Sequence, residues 1–240
     1  MLQSVQLYTG TSGFSYDAWK GPFYPTDLPT SGWLTYYATQ LGAVEINNTF
    51  YRMPKREVVA GWRAQVPGTF RFAVKASRRI THFAKLRDAG DLVVYLAQAV
   101  AELGETAGPV LFQVPRHLRV DTGLLRDFLA GLPAGLLAVF EFQHASWDDD
   151  ATREVLRAHG AAVCANDELV DGVPYLHATG PIGYLRLRRP DYDAATLRAL
   201  AAAIRAQPWA SVYAFFKHED AGAGPRLARE FAALFATESA

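Results

Sequence analysis

Apolar residues in this chain fall into short, nearly continuous runs, and most runs are followed by a stretch in which apolar positions recur every three or four residues. The first pattern suits strands covered on both faces, the second helices with one buried stripe. Eight runs are predicted as strands: Val5 to Thr11, Ala43 to Ile46, Phe70 to Ala76, "PVLFQVP", Leu136 to Phe142, "AAVCAND", "IGYLRLR" and "SVYAFFKH". Ser31 is placed to cap a helix from Trp33 to Leu41 that Gly42 stops, and Pro54 to open one running to about Gln65. Leu92, Leu96, Val100 and Leu103 share one face of a helix from Asp91 to Leu103. The next helix carries Leu124, Leu125, Phe128 and Leu129, and another spans Asp149 to Ala158. Leu197, Leu200 and Ile204, then Leu227, Phe231 and Leu234, mark the last two. After the sixth strand, "ELVDGVPYLHATGPIG" reads as loop.

Eight strand-then-helix units in 240 residues predict an α/β protein, a single (β/α)8 TIM-type barrel over residues 1–240 whose sixth unit lacks a regular helix. An open doubly wound sheet would favour a GxGxxG turn after the first strand. "TGTSGF" lacks that spacing, and "AWKGPFYP" stands where the helix would be. In such barrels the site lies where strands end, and here every strand ends in a polar or ionisable group. The ends carry Thr11 and Ser12; Glu45, Asn47 and Asn48; Lys75; Gln113; Glu141 and His144; Asn166 and Asp167; Arg186 and Arg188; Lys217 and His218. Buried charge without a partner is costly, so these groups pair with one another, with water or with a ligand.

Composition changes this picture little. Half the residues are apolar and a fifth charged, with 24 Lys or Arg against 24 Asp or Glu. The distribution says more: Arg52 to Arg87 holds ten Lys or Arg against Glu57 alone, while Asp148 to Asp171 holds seven Asp or Glu against two Arg. Cys164 is the one cysteine, so no internal disulfide and no thiolate cluster is available. No cationic leader and no bilayer-length apolar run is visible, and a cytoplasmic protein without a membrane partner is expected.

Three chemistries fit the mouth. Glu45 and Glu141 face each other as a general acid and base whose environments split their pKa values; the plain alternative makes them structural partners of Lys75, Arg186 or Lys217. Lys75, desolvated at the end of an apolar strand and followed by "SRRITH", suits a Schiff-base nucleophile or oxyanion partner; the plain alternative is an ion pair with Glu45. A divalent metal would draw on Glu45, Glu141, His144, Asp167 and His218, but no short ligand motif is present and no cofactor is predicted. Around them the basic stretch Arg52 to Arg87, joined by Arg116 and Arg188, suits a rim for phosphate that Arg78, Arg79 and Arg186 would hold; the plain alternative is solvated surface charge. Asn47, Tyr51, His82, Gln113, His144 and Trp147 complete the candidate substrate contacts. Phe14, Tyr16, Trp19, Tyr24, Phe50 and Tyr51 either stack on a ligand or pack the loops.

"GTSGFSYDAWKGPFYP", "VEINNTFYRMP", "FRFAVKASRRITH", "GPVLFQVP" and "EFQHASW", in that order, resemble the signatures of the domain-of-unknown-function family 72 (DUF72), the YecE-like proteins. The resemblance implies a barrel related in shape to the xylose-isomerase-like and apurinic-endonuclease barrels, and no settled activity. Three places depart from the family pattern: Gln143 stands where Arg is usual, "LRRPDYD" replaces His-Gly after the seventh strand, and "FFKHEDAGAG" replaces Phe-Asn-Asn-Asp after the eighth. The function expected is an enzyme acting on a phosphate-bearing substrate, nucleic acid or sugar phosphate, by hydrolysis or lyase chemistry. The competing expectation is a barrel that binds a nucleotide or a protein and turns nothing over.

Overall fold

The computed structural model describes residues 5–168, 172–189, 191–217 and 220–236. Eight parallel strands close in sequence order: β1 (Gln6–Ser12), β2 (Ala43–Ile46), β3 (Arg71–Lys75), β4 (Ala107–Val114), β5 (Ala138–Phe142), β6 (Ala162–Asn166), β7 (Ile182–Leu187) and β8 (Ser211–Phe216). β8 returns to β1 over six consecutive residue pairs, Gln6 with Ser211 through Thr11 with Phe216, so the sheet has no free edge. The protein is a (β/α)8 TIM-type barrel, as the run pattern predicts.

Among the described residues seven α-helices pack outside: α1 (Trp33–Gln40), α2 (Arg56–Arg63), α3 (Gly90–Ala101), α4 (Thr122–Ala130), α5 (Asp150–Ala158), α6 (Ala194–Arg205) and α7 (Ala223–Ala236). Aspartates start three of them. The carboxylates of Asp121, Asp149 and Asp193 accept the backbone N–H three residues on, at 2.9, 2.7 and 2.7 Å. Among the described residues between β6 and β7 there is no helix, in line with the loop reading of the sixth unit.

Two starts differ from expectation. Ser31 lies inside a 3-10 turn, Thr30–Gly32, and α1 begins without a side-chain cap. Pro54 stands two residues ahead of α2, because the chain after β2 first makes a 3-10 turn, Asn48–Phe50, and only then reaches the helix. β3 is followed by a feature no apolar period signals, a π-turn over Arg79–Phe83.

Apolar packing divides in two. The larger cluster lies between strands and helices and includes Trp33, Tyr37, Phe72, Phe112, Phe140 and Phe231. The smaller fills the barrel itself with Ala43, Ala73, Leu111, Val139, Tyr184, Tyr213 and Phe215. Successive strand residues alternate between these two environments. The inward face of β2 therefore reads Ala43 then Glu45, of β3 Ala73 then Lys75, of β5 Val139 then Glu141, and of β7 Tyr184 then Arg186. The hydrocarbon floor ends one residue pair below the mouth, and the next layer is charged.

Candidate active site at the carboxyl mouth

Arg186 occupies the centre of that charged layer. Its Nη2 donates to Glu45 Oε1 at 2.8 Å and its Nη1 to Glu141 Oε2 at 2.7 Å, with the three side chains nearly inaccessible to solvent. Each carboxylate is held further from its own side of the ring. Glu45 accepts from Ser12 Oγ (2.9 Å), Asn47 Nδ2 (3.0 Å) and Tyr184 OH (2.7 Å). Glu141 accepts from Gln113 Nε2 (2.6 Å) and Asn166 Nδ2 (2.6 Å), and Arg188 approaches it at 3.8 Å. Register makes these contacts: Ser12 pairs with Glu45, Gln113 with Glu141, and Asn166 with Arg186 across adjacent strands.

Burial alone would hold both carboxyls protonated. The Arg186 guanidinium and the converging donors outweigh it, and Glu45 falls to about 2. Glu141 is lowered as well, by Arg186 and Arg188 against the same burial penalty. Both are ionised across the neutral range, and neither keeps a proton to give. Two further assignments change with them. Arg186 is one of the residues expected to hold phosphate, but both its Nη atoms are committed to carboxylates. An ion pair between Lys75 and Glu45 does not form, since Arg186 takes that carboxylate.

Lys75 consequently stands apart. It is 8% exposed and makes no ion pair or side-chain hydrogen bond among the described residues. Its Nζ lies 4.1 Å from the centre of the Phe50 ring. Burial first, then the positive charge of Arg186, lowers its pKa to about 8 despite Glu45 and Glu141 nearby. Its position is fixed from the turn after β2, where the Thr49 hydroxyl donates to the Lys75 carbonyl at 2.6 Å.

The other expected contacts separate. His82 reaches the same corner, its ring 5.0 Å from that of Phe50, and burial followed by the charge of Lys75 lowers its pKa. Tyr51, Arg78 and Arg79 are exposed on the rim beside it. Asn47 and Gln113 serve the two glutamates. His144 is spent locally, its Nδ1 accepting the Ser146 N–H at 3.0 Å. Trp147 is a packing residue: its ring stacks on Phe142 at 4.6 Å and its indole N–H donates to the Leu118 carbonyl. Of the loop aromatics, Trp19 and Tyr24 are buried and Phe14 and Tyr16 half-buried against the core. Asp167 accepts from Tyr192 OH and from the Arg188 N–H at 2.7 Å. Lys217 is exposed just past β8, its backbone N–H donating to the Leu187 carbonyl at 2.9 Å, and His218 and Glu219 lie outside the described residues.

Among the described residues no three of His, Cys, Asp and Glu gather at one point. The donor set at the mouth also suits a cation poorly, because Arg186 already fills the space between the two buried carboxylates. Toward β5 and β6 the mouth opens into a cavity of about 400 Å3, lined by Arg116, Glu141, Gln143, Asn166 and Glu168. Tyr184 is the residue that strand-end reading missed. Its signal is the period-two spacing of "YLRLR", which puts Tyr184, Arg186 and Arg188 on one face.

A closed parallel barrel with a coupled charge layer at its carboxyl end defines the class: a TIM-type α/β protein whose loops and strand ends hold the candidate site. Residues 8–240 match the family described as Protein of unknown function DUF72, and the chain belongs to that family. UPF0759 protein YecE of Escherichia coli O157:H7 is 30% identical over 154 residues, 62% of this chain and 55% of that protein. UPF0759 protein YecE of Escherichia coli strain K12 is 39% identical over 112 residues, 46% of this chain and 41% of that protein. The chain thus spans about half the length of the curated relatives it matches. A crystal structure of a DUF72 family protein from Thermotoga maritima MSB8 superposes with a TM-score of 0.82 at 25% identity, covering 96% of this chain and 99% of that one. One from Enterococcus faecalis V583 gives 0.75 at 18% identity, covering 98% and 99%. The likeness is one of fold and family and brings no activity with it. No helix among the described residues is long and apolar enough to cross a membrane.

Proposed function

We propose that the mouth is the active site of a carbonyl-directed enzyme, of lyase type, in which Lys75 forms an imine with an anionic, phosphate-bearing substrate. The observation that carries the reading is the state of Lys75: a nearly buried amine, without a carboxylate partner among the described residues, whose pKa is lowered to about 8. An ordinary lysine at neutral pH is almost wholly ammonium and has no lone pair to offer; this one is neutral in a useful fraction of molecules. In the step proposed, the neutral amine attacks the carbonyl carbon, a C=N bond replaces C=O, and the oxygen leaves as water. Glu45, Arg186 and Glu141 act as a fixed electrostatic floor and exchange no protons. Arg78 and Arg79 supply charge for the substrate anion, while Arg188 is paired with Glu168 at 3.2 Å. Hydrolysis by an acid–base pair of glutamates has less support, because both carboxyls are held ionised.

Borohydride tests this directly, since hydride delivered to the imine carbon leaves a stable secondary amine. With glyceraldehyde 3-phosphate as probe, an adduct is expected on Lys75, its yield rising as pH goes from 6 through about 8, where the amine loses its proton. The Lys75→Arg variant should give none at that position. Labelling spread evenly over the lysines, or none at Lys75, would end the proposal.

The non-catalytic barrel has one observation in its favour, the saturated web around Arg186, which a purely structural hub would also show. The Lys75→Ala variant separates the two. A binding barrel loses affinity only, whereas an enzyme loses rate far more than affinity.

A further inference from the structure

From the Lys75 amine a line of side chains leads out to solvent. The ammonium caps the face of Phe50, whose ring meets Tyr51 edge-on, with centroids 5.1 Å apart at 89°. Tyr51 in turn lies against the Arg78 guanidinium at 5.6 Å, and Phe83 lies against the same guanidinium at 5.3 Å. Tyr51 is 69% exposed and Phe83 67% exposed. Two large exposed rings against one cation, at the lip of a site, leave apolar area open to a ligand.

The charge beside them has the same character. Among the described residues, Arg52, Lys55, Arg78, Arg79 and Lys85 make no ion pair with a carboxylate, whereas Arg56 and Arg87 are paired with Glu102 and Asp121. After the turn that follows β2, a cleft of about 420 Å3 is lined by Arg52, Met53, Lys55, Val58 and Trp62. Apolar side chains and unneutralised positive charge thus recur together in the segment after β2.

The backbone that carries Arg78 and Phe83 is irregular in a way that propensity does not explain. β3 runs into the π-turn Arg79–Phe83, and three non-glycine residues with positive φ follow: Lys85 at 53°, Leu86 at 67° and Asp88 at 47°. Such conformations carry a cost and persist where the surroundings fix them; they concentrate at functional sites. Arg78 caps the start of that turn and Phe83 is its last residue.

We infer that Tyr51, Arg78 and Phe83 form a recognition platform for the substrate of the Lys75 site, and that this substrate pairs a flat aryl or heteroaryl ring with an anionic group. The ring stacks on Tyr51 and Phe83, the anion meets Arg78 and Arg79, and the carbonyl reaches Lys75. The substrate class rests on the imine reading, but the platform is measurable without it.

Phenyl phosphate has the ring and the anion and no carbonyl. Calorimetric titration should show it binding about tenfold more tightly than inorganic phosphate, the factor that roughly 1.4 kcal/mol of ring stacking supplies. The Tyr51→Ala/Phe83→Ala double variant should lose that preference and keep its phosphate affinity, and Lys75→Arg should keep the preference. Because both rings are exposed, the double variant is expected to fold, and far-UV circular dichroism checks that it does. Equal affinity for the two ligands, or a preference that survives the double substitution, overturns the platform. Absence of a borohydride adduct with phenyl phosphate preference intact would leave the platform standing and remove the imine reading alone.

Discussion

At the scale of single residues, the arrangement turns on which cation each glutamate received. Sequence reasoning placed Glu45, Lys75 and Glu141 at one opening, and they are there. It could not show that Arg186, separated from Glu45 by 141 positions, would bridge both carboxylates and leave the lysine without an ion pair among the described residues. That outcome depends on reach. Arg186 presents a fork that satisfies two carboxylates at once, while an ammonium offers a single point of charge. Removing the fork should therefore cost more than one ion pair. For Arg186→Met the expected loss at pH 7 is about 3–5 kcal/mol, since two buried carboxylates lose their common partner. The sign of its pH dependence follows from Glu45. In the native protein its pKa of about 2 lies below the ordinary 4.5, so its contribution is full above 4.5 and lost as pH falls toward 2. In the variant the same carboxyl takes up a proton far earlier. The gap between the two proteins in urea denaturation should narrow from pH 7 to pH 4. A gap under 1 kcal/mol, or one that ignores pH, would mean the web is not held by Arg186.

At the scale of elements, what was legible had a local cause. Strands followed from continuous apolar runs, and α3, α4, α6 and α7 from apolar residues at helical spacing. The aspartates that cap α4, α5 and α6 each stand one residue before the helix begins. The misplacements, Ser31 as a cap and Pro54 as a helix opener, share a reason: 3-10 turns precede both helices, and short turns have no period to read. The π-turn after β3 was illegible for the same reason, and it carries part of the candidate site. Close approach between elements is another thing that composition does not display. Gly10 in β1 is a clear case. A Cβ there would stand 1.7 Å from the Ala43 carbonyl oxygen and 2.8 Å from the Tyr37 hydroxyl, so backbone as well as side chain would have to move. Gly10→Ala is expected to destabilise by about 1–3 kcal/mol or more. Gly42→Ala is the control, with nothing within 4 Å of the added carbon. Equal denaturation midpoints for the two variants would show that β1 and β2 are less tightly apposed than described.

At the scale of the whole molecule, closure of the sheet converts eight separated strand ends into one layer. The ordered family signatures and the unit count made that closure readable, and the period of two made the layer's members readable. The charge tally misled in one respect. The ten cations between Arg52 and Arg87 do not form one rim: Arg71 stacks on Tyr8 inside the barrel at the end opposite the mouth, and Arg56 and Arg87 are paired on the outside. What remains near the mouth is a smaller set, interleaved with exposed rings. The central claim is narrower than any substrate assignment. It is that closing the ring leaves the Lys75 amine desolvated and without a carboxylate partner among the described residues. Isotope-edited NMR of the lysine side chains, with Lys75→Arg to assign the signal, measures its proton affinity directly. A titration midpoint near 8 is expected. A midpoint at or above the ordinary 10.5 would mean that the amine has found an acidic partner, and would contradict the claim.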